Sequence, residues 1–150
     1  MTRLSSSNSR QFYIFCDGGA RGNPGPAAVG VVVKDNRGRT WVEISKYIGR
    51  TTNNVAEYKA VIAALEWIVK NQASFRLPVS RFQFYLDSKL VVNQLRGLFR
   101  IKNSNLQALI IKLKGLENQV KHPIFYRYIP RDKNKQADRL VNQALDKLAR

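Results

Sequence analysis

A chain of 150 residues, 44% apolar and 10% aromatic, is long enough for one ordinary domain, and no run approaches the ~18 apolar residues that a membrane helix needs. The single cysteine, Cys16, excludes an internal disulfide and a thiolate metal centre; lying inside an apolar run, it reads as a buried, inert thiol. Lys and Arg number 26 against 10 Asp and Glu, a formal charge of +16 and a pI near 10.5, so a polyanion, nucleic acid first, is the expected partner.

Residues 1–10 are polar and Ser-rich without the apolar stretch of a secretion signal, which predicts a disordered leader, a cytoplasmic protein and one folded domain over 11–150. Residues 12–16 are a continuous apolar run ending at Asp17, the pattern of a strand covered on both faces. The G-G-A-R-G-N-P-G-P stretch after Asp17 predicts a turn, and 29–33 and 41–48 follow as strands of an antiparallel meander joined through Asn36, Arg37 and Gly38. Val55, Tyr58, Ile62, Leu65 and Val69 have helical spacing, with Asn53 or Asn54 as the expected cap.

Residues 82–86 read as another buried strand ending at Asp87, and Ser88 opens a short helical piece. A second long helix carries Leu106, Leu109, Ile110, Leu113, Leu116 and Val120, a last strand spans 124–129, and a final helix from near Asn134 buries Ala137, Leu140, Val141, Ala144, Leu145 and Leu148. Three strands followed by alternating helices and strands give an α/β fold, a mixed sheet with an antiparallel edge and helices against its faces. Trp41, Tyr47 and Trp67 have the spacing of core residues rather than of base-stacking platforms. His122 precedes the last strand, which sets it at the opposite end of the sheet from Asp87.

In a chain short of acids, Asp17 and Asp87 stand at the C-terminal ends of two apolar strands, where ligands of open α/β sheets bind. Glu57 and Asp138 stand near the starts of two helices, where an acid by itself gains only ~0.3–1 kcal/mol from the helix dipole. Brought to one edge, the four would repel one another, and a shared hard cation, Mg²⁺ or Mn²⁺, is the natural compensation. Between Asp87 and Glu117 there is no acid but there are Lys89, Arg96, Arg100, Lys102, Lys112 and Lys114, a candidate surface for a nucleic-acid backbone.

The segments D-G-G-A-R-G-N-P-G-P, T-T-N-N-V-A-E-Y, Y-L-D-S and A-D-R-L, in that order, resemble type 1 ribonuclease H over roughly residues 11–148. The resemblance implies a five-stranded mixed sheet, three strands antiparallel and two parallel, flanked by helices. It implies an endonuclease that hydrolyses the RNA strand of RNA/DNA hybrids with two Mg²⁺ or Mn²⁺ ions, leaving 5′-phosphate and 3′-hydroxyl ends. Asp17, Glu57, Asp87 and Asp138 match the metal-binding carboxylates. Gly18 and Gly19 match positions of close approach to RNA, and Asn23, Asn53, Asn54, Ser88, Gln94 and Asn134 are candidate substrate contacts, amides suited to the 2′-hydroxyl and minor-groove edges.

Two departures mark a branch of the family. The strongly basic insertion of many members is absent, which assigns hybrid grip to Lys89, Arg100, Lys102 and Asn103; the loop before the final helix reads P-R-D-K-N, with Arg131 and no histidine. Arg131 stays protonated, so its role in catalysis would be electrostatic. A monomer is expected, with double-stranded RNA as a second candidate partner and no membrane. Rival readings are another nuclease of the same superfamily, such as a transposase, integrase core or junction resolvase, and a non-catalytic module binding hybrid or double-stranded RNA. Retention of four acids beside phosphates argues against the latter.

Overall fold

In the computed structural model, residues 9–76, 78–98 and 100–149 are described. They form strands β1 (Arg10–Ala20), β2 (Gly25–Asp35) and β3 (Thr40–Thr51), helix α1 (Asn53–Asn71), strand β4 (Val79–Leu86), helices α2 (Lys89–Leu95) and α3 (Ser104–Gln119), strand β5 (Ile124–Tyr128) and helix α4 (Lys135–Leu148). The five strands make one sheet in the order β3-β2-β1-β4-β5. β1 pairs antiparallel with β2, and β2 with β3, while β1–β4 and β4–β5 are parallel. This is the mixed α/β sheet expected from the order of elements.

Strand alternation divides the core. Phe12, Ile14 and Cys16 of β1 and Phe82, Phe84 and Leu86 of β4 are buried with Tyr58, Val61, Leu65 and Ile68 of α1. Each such side chain, fully withdrawn from water, contributes roughly 1.5–3 kcal/mol. On the other face α4 sets Val141, Ala144 and Leu145 against Ala28 in a second, smaller cluster. α3 packs on α1 rather than on the sheet and buries only Leu106 and Leu113. Among the described residues no helix is long and apolar enough to cross a membrane.

Several local expectations are corrected. β1 does not stop at Asp17: Gly18, Gly19 and Ala20 stay paired with Val29, Ala28 and Ala27, and the reversal is confined to the residues between Ala20 and Gly25. Arg10, assigned to the leader, opens β1 and bonds the Asp35 carboxylate at 3.3 Å; residues 1–8 of that leader lie outside the described residues. The cap of α1 is Thr52, whose hydroxyl accepts from the Val55 amide, because Asn53 and Asn54 are already inside the helix. Trp41 and Trp67 pack on the core, but Tyr47 is 40% exposed and Leu148, the last residue of α4, 49% exposed.

Candidate active site

Each of the four acids comes from a different element. Asp17 is carried by central strand β1, Glu57 by the first turns of α1, Asp87 by the residue after β4, and Asp138 by the first turn of α4. Parallel pairing of β1 with β4 brings Asp17 and Asp87 to one sheet edge. Glycines set the helices close. A Cβ on Gly18 would lie 2.2 Å from the Ala56 carbonyl carbon, so β1 and α1 touch backbone to backbone beside Glu57. A Cβ on Gly30 would lie 2.2 Å from the Ala137 oxygen, so α4 rests on β2 one residue before Asp138. Gly18 is therefore filled on its Cβ side by protein, not by an approaching RNA strand.

The carboxylates sense one another. Burial first, then the charges of Asp87, Asp138 and Glu57 and a proton-sharing contact with Asp138, push the Asp17 carboxyl up to about 8. Burial and Asp87 raise Glu57 to about 7, while the Ser88 hydroxyl and the Arg131 charge pull it back. Glu57 Oε2 is buried without a hydrogen-bond partner. Among the described residues no three His, Cys, Asp or Glu side chains are grouped so as to hold a metal ion as they lie. The donor set is all oxygen, partly neutral and holding an orphaned lone pair, which suits a hard divalent cation.

Neighbouring amides fix two of the acids. Asn134, 1% exposed, donates through Nδ2 to the Cys16 carbonyl and to Asp87 Oδ2, both at 2.9 Å, tying the entry of α4 to β1 and β4. The candidate substrate contact Asn134 is thus corrected to a buried brace, although its own Oδ1 has no partner. Asn142, which the sequence reading missed, donates to the Asp138 carbonyl at 3.2 Å and to Asp138 Oδ2 at 3.4 Å. Its position four residues after an acid on a helix was the available signal. Arg131 lies in a single 3-10 turn, 83% exposed, with its guanidinium 4.0 Å from Asp87 Oδ1.

The remaining candidates fall into two groups. Asn23, Thr52, Asn54, Asn103 and Asn105 line a polar hollow of about 310 Å³ beside the start of α1. Asn53 braces that hollow from behind: its Oδ1 accepts from the Ala20 amide and its own amide donates to Asn23 Oδ1, both at 2.9 Å. Asn103 also caps α3 through the Asn105 and Leu106 amides. Outside the hollow, Ser88 caps α2, Gln94 accepts a short hydrogen bond from the Tyr58 hydroxyl, and Lys89 sits 5.1 Å over the Tyr128 ring. Arg100 and Lys102 are exposed before α3. His122 lies at the other sheet end, its ring 6.1 Å from Phe82.

Residues 15–144 match the family described as reverse transcriptase-like. A bifunctional protein of Mycobacterium tuberculosis is 42% identical over 137 residues, 91% of this chain and 36% of that protein. Ribonuclease HI of Halobacterium salinarum is 37% identical over 134 residues, 89% of this chain and 64% of its own length. The chain thus spans from about a third to just under two thirds of these relatives. LC11-RNase H1, solved in complex with an RNA/DNA hybrid, superposes with a TM-score of 0.86 at 41% identity, over 93% of this chain and 99% of that one. With that sheet, those helices and these relatives, the chain belongs to the ribonuclease H family.

Proposed function

We propose that this chain is a ribonuclease H that hydrolyses the RNA strand of RNA/DNA hybrids with divalent cations, two per site, leaving 5′-phosphate and 3′-hydroxyl ends. The observation that carries this reading is the gathering of Asp17, Glu57, Asp87 and Asp138 from four elements at one sheet edge of a +16 protein, with the Asp17 carboxyl raised by burial first and then by the other three. LC11-RNase H1, so similar over nearly its whole length, was solved with a hybrid bound, which supports the same partner here. Such a concentration of acids is a liability to a pure binder of phosphates, and it distinguishes an enzyme from a silent module.

Asp17, Glu57, Asp87 and Asp138 would hold the ions. Bound divalent cations supply an activated water for in-line attack and charge compensation at the departing 3′ oxygen. The chain's own contribution is placement. Asn134 fixes Asp87 Oδ2 while Arg131 faces Oδ1, so this carboxylate is held between a buried amide and an exposed positive charge. Asn142 holds Asp138, and Ser88 contacts Glu57. Arg131, with its guanidinium at the rim, is placed to attract the scissile phosphate with a charge that does not titrate. The asparagine-lined hollow offers donors and acceptors for the hybrid backbone and sugar hydroxyls.

Asp87→Asn tests the reading. Its amide keeps the shape and the volume but removes a charge that cations need, so turnover on hybrid should fall at least about 10³-fold, the scale of losing a preorganised charge in the site. Hybrid affinity measured in chelator should be unchanged or higher. Near-normal turnover in Asp87→Asn would contradict the metal role of this carboxylate.

A further inference from the structure

One face of the sheet carries a feature the hydrolytic site does not use. α4 packs on β2, β3 and β1 and buries its stripe there. Along β1 the residues alternating with the core are Tyr13 and Phe15, and they are only half-buried. Register places Phe15 beside Tyr85 of β4, Tyr13 beside Gln83 and Lys34, and Tyr85 beside Arg127 of β5, so these side chains share that face. Phe15 and Tyr85 stack at 5.0 Å between centroids, and Tyr13 and Tyr85 at 6.4 Å, with interplanar angles of 27° and 21°. Phe125, paired with Gln83, is 49% exposed on the same face.

The rim of this aromatic row is basic. Tyr13, Phe15 and Tyr85 floor a depression of about 460 Å³ whose walls include Lys34, Lys133 and Ile129. The one acid at its border, Asp35, is turned inward and held by Arg10, the Trp41 indole and the amides of Arg37 and Arg39. Aromatic rows edged by lysine and arginine suit bases and phosphates, and a chain of charge +16 draws a polyanion to them. Asp17 follows Phe15 by two residues on the same side of β1, roughly 7 Å further along the strand. The row is therefore continuous with the edge where the carboxylates gather.

We propose that this face is a docking platform for single-stranded nucleic acid, bases stacking on the row of Tyr13, Tyr85 and Phe15 and phosphates meeting Lys34, Lys133 and Arg127. A strand leaving the duplex at the carboxylate edge as an overhang or flap would be drawn along it. The platform goes beyond hybrid hydrolysis and can be measured without it, since binding is read in chelator where no cleavage is required.

The test uses the whole chain in chelator. Aromatic ring signals of Tyr13, Phe15 and Tyr85 should shift on titration with oligo(U) or oligo(dT), and anisotropy should show a hybrid with a short single-stranded extension binding about tenfold tighter than its blunt counterpart. Tyr85→Ala should erase that difference, Tyr85→Phe should retain it, and blunt-hybrid cleavage should be the same in both variants. Ring signals unmoved by either oligonucleotide, or an extension that adds no affinity, would overturn the platform whether or not the protein cleaves hybrids. Concentration-dependent self-association lost in Tyr85→Ala, with oligonucleotide binding intact, would also overturn it and assign the face to a contact between copies.

Discussion

Asp17 occupies the position where an ionised carboxylate is hardest to keep, under the combined burial and repulsion that raise it to about 8. A carboxyl raised on folding favours the proton-bound fold: its contribution to stability is full below its ordinary value near 3.8 and disappears as pH climbs through about 8. Asparagine imitates the neutral acid at every pH. In chelator, Asp17→Asn should match wild type near pH 4 and become the more stable protein by on the order of 1 kcal/mol or more at pH 8, about 3 °C for a chain of this size. Mg²⁺ should stabilise wild type at pH 8 and narrow that gap. Parallel melting curves for the two proteins across this range, showing no divergence, would mean that Asp17 does not share a site with the other acids.

Arg131 and His122 offer a second contrast between single residues. The guanidinium 4.0 Å from Asp87 and the imidazole against Phe82 stand at opposite ends of the parallel strands. Arg131→Ala should lower kcat on hybrid by about 10-fold to 100-fold with a smaller change in KM, in keeping with loss of one positioned charge. His122→Ala should leave both within about twofold, as is usual for a side chain away from reacting groups. Steady-state kinetics giving the reverse ranking would remove Arg131 from the mechanism.

At the scale of elements, helix α4 is set by a glycine in a strand. Gly30 lies within the apolar V-G-V-V-V run, and a Cβ there would stand 2.2 Å from Ala137 O and 3.0 Å from Leu140 Cβ, so the helix carrying Asp138 must lift if the glycine is replaced. Gly30→Ala should destabilise the chain by about 1–3 kcal/mol and depress turnover with it. Gly115 in α3 has open space around it, and Gly115→Ala should instead stabilise by roughly 0.5–1 kcal/mol through helix propensity. Urea denaturation of both variants checks the pair, and equal effects would contradict the packing ascribed to Gly30.

The same strand shows what could be read in advance. Periodicity is enough to place the helices and the strands along the chain, because the spacing of apolar residues is written locally, although α3 fully buries only Leu106 and Leu113 of its stripe. The end of β1 was not, since Gly18 and Gly19 have the chemistry of a turn and are held straight only by pairing to Val29 and Ala28. A glycine inside a strand is compatible with a close neighbour without saying which, and only the fold identifies α4 as the element against Gly30. Sequence reading could assign the four acids through motif order; the braces Asn134 and Asn142 needed the three-dimensional neighbours of Cys16, Asp87 and Asp138. The cap of α1 is ambiguous in T-T-N-N because threonine and asparagine both cap helices, and only the fold shows that Thr52 takes that place.

Over the whole molecule, a cluster of acids is embedded in a body of charge +16. The acid-free stretch between Asp87 and Glu117 is less uniform than its composition: Lys112 pairs with Glu66 at 3.7 Å and Lys114 with Glu117 at 3.2 Å, which turns these two from a backbone toward the protein. Arg96, Arg100 and Lys102, exposed between α2 and α3, remain the basic side chains of that stretch that best suit phosphates. Positive surface attracts a polyanion without choosing among polyanions. On the proposed function, choice comes from the amide-lined hollow, whose side chains can donate to and accept from 2′-hydroxyls, and from the carboxylates, which would act with bound cations. The most direct measurement is cleavage of end-labelled RNA/DNA hybrid, duplex RNA, single-stranded RNA and duplex DNA, each with Mg²⁺ and with excess chelator. With Mg²⁺ the RNA strand of the hybrid should be cut most efficiently, leaving 5′-phosphate and 3′-hydroxyl ends, and chelator should abolish the cutting; equal cutting in chelator, or preferred cutting of duplex DNA, would contradict the proposed function.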